Sequence, residues 1–293
     1  MSVKLASRPA RTRLIITTAV LALAGLLATA GQAGSARAAT VRTGQAAAVT
    51  GTGSAKPTIV LVHGAWADAG SWNAVIGLLQ RAGYTVYAPP NPLEGLPIDT
   101  ATLADFLHTI TGPIVLVGHS YGGEVITNAA AGNSQVKALV YDDAYLPAQG
   151  EYLKKLTTPG SCFAVPDSDL PTVFSFAGDP VSPTGAVAYV KPTVFPGCFA
   201  NGLPASAGAV LAATQRPLAT STFTDQSGVP AWQTIPSWDI VGTADHIITP
   251  AEQLFMANRA HAHITEINAP HLSMITDPGV VARVIIQAAQ ATS

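Results

Sequence analysis

Short apolar runs alternate with amphipathic stretches along most of this chain. From Pro57 onward the apolar, β-branched runs at 58–62, 85–88, 114–117, 136–141, 238–241 and 263–267 have the length of buried strands. Between and after them, residues 72–82, 99–110, 124–131, 250–260 and 278–289 carry the mixed apolar and polar spacing of helices. Strands separated by helices predict an α/β domain built on a mostly parallel sheet covered on both faces. Such a sheet places its site at the carboxyl ends of its strands.

The rhythm breaks between about 147 and 232, where Pro, Gly, Ser and Thr are dense. This stretch is expected to form a cap inserted over the upper edge of the sheet. The tetrapeptide Pro-Thr-Val-Phe begins at Pro171 and again at Pro192, too short a match to make a repeat. At the other end, Lys4, Arg8, Arg11 and Arg13 precede the apolar run 14–27, and Ala36-Arg37-Ala38 supplies a small-x-small cleavage site. Residues 1–38 therefore read as a secretory signal peptide, with an apolar run too short for a membrane span. Residues 39–56, rich in Ala, Gly and Thr, read as a flexible linker, and 57–293 as the folded domain.

Composition sharpens this outline. A chain of 293 residues with 48% hydrophobic and 11% charged residues can bury one large core without a second domain. The leader holds five of the fifteen basic residues and no acidic one, so the remainder carries ten basic against seventeen acidic residues, a net charge of −7. That balance argues against nucleic acid as a partner and against stable membrane association after cleavage of the leader. An exported, secreted protein also meets an oxidising compartment, so Cys162 and Cys198 are expected to form a disulfide. Nothing in the sequence bears on oligomeric state.

The chemistry concentrates at Gly118-His119-Ser120-Tyr121-Gly122, directly after the 114–117 strand and before a helix. Gly-x-Ser-x-Gly in that setting is a nucleophile elbow, a turn sharp enough to hold Ser120 in a strained conformation with its hydroxyl exposed above the sheet. A serine hydroxyl needs a base and a group to orient that base. His271, in the loop between the last strand and the last helix, is the candidate base. His261 and His263 flank a strand start, and His246 and His108 lack a comparable place. Asp245, which follows the 238–241 strand, is the candidate acid, with Asp142 and Asp143 after the 136–141 strand as rivals. A structural role for Asp143 would be to cap the turn into the cap segment. The backbone amides of Ala65, in His63-Gly64-Ala65-Trp66, and of Tyr121 are the candidate oxyanion donors. His63 itself reads as a side chain that holds its loop.

The segments Ile59-Val60-Leu61-Val62-His63-Gly64-Ala65-Trp66, Gly118 to Gly123, Val241-Gly242-Thr243-Ala244-Asp245 and Pro270-His271 together resemble the α/β-hydrolase family. They are most similar to its bacterial branch related to plant methyl esterases and hydroxynitrile lyases. The resemblance implies the α/β-hydrolase fold, a Ser-His-Asp triad, a carboxylesterase acting on small-molecule esters through an acyl-enzyme, and no metal or organic cofactor. The related lyases carry a lysine immediately after the histidine, where this chain has Leu272. A lyase-like or perhydrolase activity and a non-catalytic binding protein of the same fold are the alternatives.

Overall fold

The computed structural model describes residues 56–182 and 184–292. The expected signal peptide and nearly all of the expected linker lie outside the described residues. Strand β1, Thr58–Val62, opens the domain, and a 3-10 turn at Ala69–Trp72 leads into α1, Asn73–Arg81. There follow β2 (Val86–Tyr87), α2 (Leu96–His108), β3 (Ile114–His119), α3 (Tyr121–Ala129) and β4 (Val136–Asp142). The next stretch holds α4 (Leu153–Leu156), α5 (Leu170–Val173), β5 (Phe174–Gly178), β6 (Ala186–Val190), α6 (Ala205–Thr214) and β7 (Leu218–Ala219). The chain closes with β8 (Ser237–Gly242), α7 (Pro250–Arg259), β9 (His263–Ile267), α8 (Ser273–Thr276) and α9 (Pro278–Ala291).

Six strands form one parallel sheet in the order β2-β1-β3-β4-β8-β9. Every residue of β3 and β8 is buried, as is β4 apart from Lys137, so the central strands have no face left for water. This explains why they read as mostly apolar runs rather than alternating ones, unbroken over 114–117 in β3 and interrupted only by Lys137 and Asp239 in the runs of β4 and β8. Each fully buried aliphatic side chain of β3 contributes on the order of 1.5–3 kcal/mol. Among the helices, α1 packs with α9 and α2 with α3, and α7 lies against β8 and β9.

Several boundaries differ from the sequence expectation for physical reasons. Strand β3 runs two residues further, because Gly118 and His119 pair with Tyr141 and Asp142 on β4. Helix α3 begins at Tyr121 rather than 124, directly after Ser120. Helix α2 begins at Leu96, three residues before Asp99: Gly95 turns the chain with φ +109°, and the Leu96 amide donates to Asp225 Oδ2, 129 residues away, at 3.0 Å. Strand β2 shrinks to two residues, the length over which it pairs with β1.

The segment between β4 and β8 is more ordered than its composition suggested. It contains an antiparallel three-stranded sheet, β5-β6-β7, in which Phe174 pairs with Val190 and Ala188 with Leu218. Cys162 and Cys198 are joined in a disulfide with their Cα atoms 6.0 Å apart. Closing a loop with a separation of 36 residues is worth about 4 kcal/mol in the chain-entropy account.

Candidate active site

Ser120 stands at the junction of β3 and α3 with φ 53° and ψ −125°, a backbone conformation rare for a residue with a side chain. Strain of this kind costs roughly 1–3 kcal/mol and persists only where the surroundings enforce it. Here the Ser120 amide donates to the Asp142 carbonyl at 3.3 Å, and the Ser120 carbonyl accepts from Gly123 at 2.9 Å and Tyr145 at 3.2 Å. Two glycines let the neighbouring loop press against this turn. A Cβ on Gly122 would lie 2.6 Å from the Val62 carbonyl oxygen, and one on Gly64 would lie 2.7 Å from Ser120 Cβ. The close approach brings Ala65 and Tyr121 to line the same cavity as Ser120. Tyr121 is the first residue of α3, so its amide has no acceptor within the helix.

The loop after β9 delivers His271 to the same place. Its Nε2 lies 3.0 Å from Ser120 Oγ and its Nδ1 lies 2.8 Å from Asp245 Oδ2, and all three residues are buried. Asp245, in the loop after β8, is held on both oxygens. Oδ1 accepts from the amides of Ile247 at 2.6 Å and Ile248 at 3.1 Å, and Oδ2 accepts from Gln253 Nε2 at 2.8 Å as well as facing His271. The carboxylate therefore has four partners and one orientation.

Asp142 and Asp143 lie at the end of β4, as expected, but the hydrogen bonds of Asp143 differ from the turn-capping role considered for it. Asp143, with φ 46°, accepts from the Gly242 amide at 2.7 Å and the Ser273 amide at 3.3 Å. It thus braces the loops that carry Asp245 and His271 and does not cap the turn into the cap. Asp142 Oδ1 accepts from Ser273 Oγ at 2.6 Å. Burial pushes both carboxyls up, Asp142 to about 7, and for Asp143 the neighbouring charge of Asp142 adds to the effect.

Two other histidines are tied into the frame. His63 Nδ1 faces the Gly64 carbonyl at 2.9 Å while Nε2 accepts from the Asn91 amide at 3.0 Å, an arrangement that requires one proton on the ring. Burial lowers its pKa to about 4. His119 donates from Nε2 to the His271 carbonyl at 2.8 Å, and burial holds it well below the usual histidine range. Neither His119 nor Gln253 stands out in the sequence. His119 is the unspecified position of Gly-x-Ser, and Gln253 lies on α7 with no motif around it.

Above Ser120 opens a cavity of about 480 Å³. Its floor includes Ala65, Trp66 and Tyr121, and Phe163, Phe174 and Phe223 reach it from the β4–β8 segment. Phe199, adjacent to the disulfide, packs edge-on against the His271 ring with centroids 5.2 Å apart. No helix among the described residues is long and apolar enough to cross a membrane.

A strained serine on a strand-to-helix turn, within reach of a histidine from a later loop and set in this sheet order, defines a class of protein. The chain belongs to the alpha/beta hydrolase family, whose model matches residues 59–284. Among characterised proteins it is similar to a carbendazim hydrolyzing esterase of Nocardioides sp. (strain SG-4G), 34% identical over 110 residues, which is 33% of this chain and 46% of the relative. It is also similar to a pyrethroid hydrolase of Sphingobium wenxiniae, 33% identical over 114 residues, 35% of this chain and 41% of the relative. The matched region thus spans less than half the length of these relatives. Among solved structures, an extracellular alpha/beta-hydrolase from a Paenibacillus species, described as sharing structural and functional homology with tobacco salicylic acid binding protein 2, superposes with a TM-score of 0.64. It has 20% identity and covers 79% of this chain and 98% of its own.

Proposed function

We propose that this chain is a carboxylic ester hydrolase that works through Ser120, His271 and Asp245. The observation that carries the reading is the unbroken line from Ser120 Oγ through both nitrogens of His271 to a fully hydrogen-bonded Asp245, opening on a cavity with apolar walls. The names of the esterase relatives support the same chemistry.

Ser120 Oγ attacks the ester carbonyl carbon and passes its proton to His271 Nε2. The carbonyl oxygen becomes an oxyanion and accepts from the amides of Ala65 and Tyr121. When the tetrahedral intermediate collapses, the C–O bond to the alcohol breaks and the departing alkoxide takes the proton from His271. Water then loses a proton to His271 as it attacks the acyl-serine. The second intermediate releases the carboxylic acid and returns the proton to Ser120. Asp245 keeps Nδ1–H of His271 pointed away from the serine, so that Nε2 is the free acceptor. The apolar and aromatic cavity walls suit an ester with at least one apolar arm.

Residues 1–38 act, in this reading, as a secretory leader, and the mature protein is extracellular. The disulfide and the extracellular Paenibacillus neighbour support that placement. Hydrolysis of p-nitrophenyl esters from acetate to octanoate, by the wild type and by Ser120→Ala, tests the function. Turnover in the wild type that is lost by a factor on the order of 10³ or more in the variant is expected. Equal rates in the two folded proteins would reject it.

A further inference from the structure

A second cavity, of about 120 Å³, lies beside the one that holds Ser120. Phe199 and Leu211 from the β4–β8 segment and Leu272 and Ile275 around α8 form its apolar side, and the exposed Asp68 and Thr214 stand at its polar rim. Trp66 is the one residue among those lining the two cavities that borders both. Its indole is held from all sides: Nε1 donates to the Ala188 carbonyl on β6 at 2.9 Å, the ring stacks on Phe174 at 5.5 Å, and it meets Phe163 and Phe199 edge-on at 5.4 and 5.9 Å. The backbone at Trp66 has φ 56°, a left-handed conformation that bulky residues rarely adopt. A large, immobilised aromatic therefore stands between the mostly apolar cavity above Ser120 and the apolar side of the second one.

We propose that the Trp66 indole is a partition that sets the depth of the substrate cavity, so that it determines specificity by stopping one arm of the ester short of the second cavity. The inference rests on the esterase reading of the same site. With a smaller side chain at 66, the two spaces become continuous, and the arm that ends against the indole gains room for added methylenes. In an apolar pocket such a change of fit discriminates substrates by an order of magnitude or more. Phe199 packs between the second cavity and His271, so opening the partition leaves the histidine covered.

The test uses the full chain and four proteins: wild type, Trp66→Leu, Leu211→Phe, which fills the second cavity from α6, and the double variant. Values of kcat/KM are measured on p-nitrophenyl esters of graded acyl length and on acetate esters of graded alcohol length. Trp66→Leu is expected to raise the long-to-short ratio about ten-fold or more in one of the two series. Leu211→Phe alone should keep the wild-type profile, and the double variant should return to it. An unchanged profile in both series from a folded Trp66→Leu that still cleaves the shortest ester overturns the proposal, as does a double variant that keeps the gain. Should Trp66→Leu fail to fold, Trp66→Phe replaces it, with a smaller shift of the same sign expected and an unchanged profile counting against the partition. Binding of straight-chain 1-alkanols, read from the melting temperature, judges the partition without turnover. Affinity that keeps rising with chain length in the variant after levelling in the wild type supports it, and superimposable series reject it. A wild type that cleaves no ester in either series refutes the esterase reading, and the alkanol series still decides the partition.

Discussion

His119, the residue immediately before the candidate nucleophile, donates its Nε2 proton to the backbone carbonyl of His271, the candidate base, at 2.8 Å. The rings lie 4.8 Å apart, and both residues are fully buried. The end of β3 thereby holds the loop after β9, although 151 residues separate Ser120 from His271. This bond fixes the end of β3 against the loop that carries His271.

Removing that donor should be felt in the rate as well as in stability. His119→Ala leaves the His271 carbonyl buried without a partner, a loss of about 1–3 kcal/mol of folding free energy. It should also lower kcat by roughly ten-fold or more, because small misplacements of a reacting group weaken catalysis steeply. His119→Gln, which keeps a side-chain N–H, should recover part of both. Denaturant unfolding and ester kinetics on the three proteins check this; equal kcat for wild type and His119→Ala would separate His119 from the chemistry.

The two carboxylate positions should respond differently to the same substitution. Asp245→Asn allows the wrong imidazole tautomer, and the equivalent change in a serine protease costs on the order of 10⁴ in kcat. Asp143→Asn retains an acceptor for only one of the Gly242 and Ser273 amides, so it should lower the melting temperature and reduce kcat far less. Kinetics of the two variants decide between them. A larger loss in Asp143→Asn would move the orienting acid to the end of β4.

His63 makes stability depend on pH. Its folded pKa of about 4 lies below the value of 6.5 for a free histidine, so the unfolded chain binds the proton more readily and stability falls as pH drops from about 6.5 to 4. The full contribution of this one group is about 3 kcal/mol. His63→Gln can still accept from Asn91 and donate to Gly64 but does not titrate. Unfolding free energies at pH 7 and pH 4 should differ less in the variant than in the wild type, and parallel pH dependences would exclude His63 as the source.

The disulfide should matter more to the β4–β8 segment than to the sheet. Thiol titration of the folded, unreduced protein should find no reactive sulfur. The Cys162→Ser, Cys198→Ser double variant should lose about 2–5 kcal/mol of stability. Since Phe163 and Phe199 follow the two cysteines and pack on Trp66, its substrate preference should also loosen. A melting curve identical to wild type would remove the bridge from the stability account.

What could be read in the sequence follows from where each signal resides. Strands β1, β3, β4 and β8 were legible because burial on both faces keeps them mostly apolar, with Thr58, Lys137 and Asp239 as the breaks in the runs, and Ser120, Asp245 and His271 because each follows a strand in a short turn or loop. Strands β5, β6 and β7 were not. Their pairing depends on partners such as Phe174 and Val190, brought together only by the folded segment, and their short runs are set within a stretch dense in Pro, Gly, Ser and Thr. The start of α2 is hidden in the sequence because its first amide is satisfied by Asp225 from a distant part of the chain. Gln253 and His119 are hidden for the same reason: their roles are defined by atoms far away in sequence.

If Ser120 is a nucleophile activated by His271, a covalent probe of serine nucleophiles should find it. Incubation of the folded protein with a fluorophosphonate, followed by intact mass and peptide mapping, should show one adduct per chain, located on Ser120, with ester turnover lost in proportion to labelling. His271→Ala should label far more slowly. A protein that hydrolyses esters at full rate while Ser120 remains unmodified, or while the adduct maps to another residue, would contradict the account.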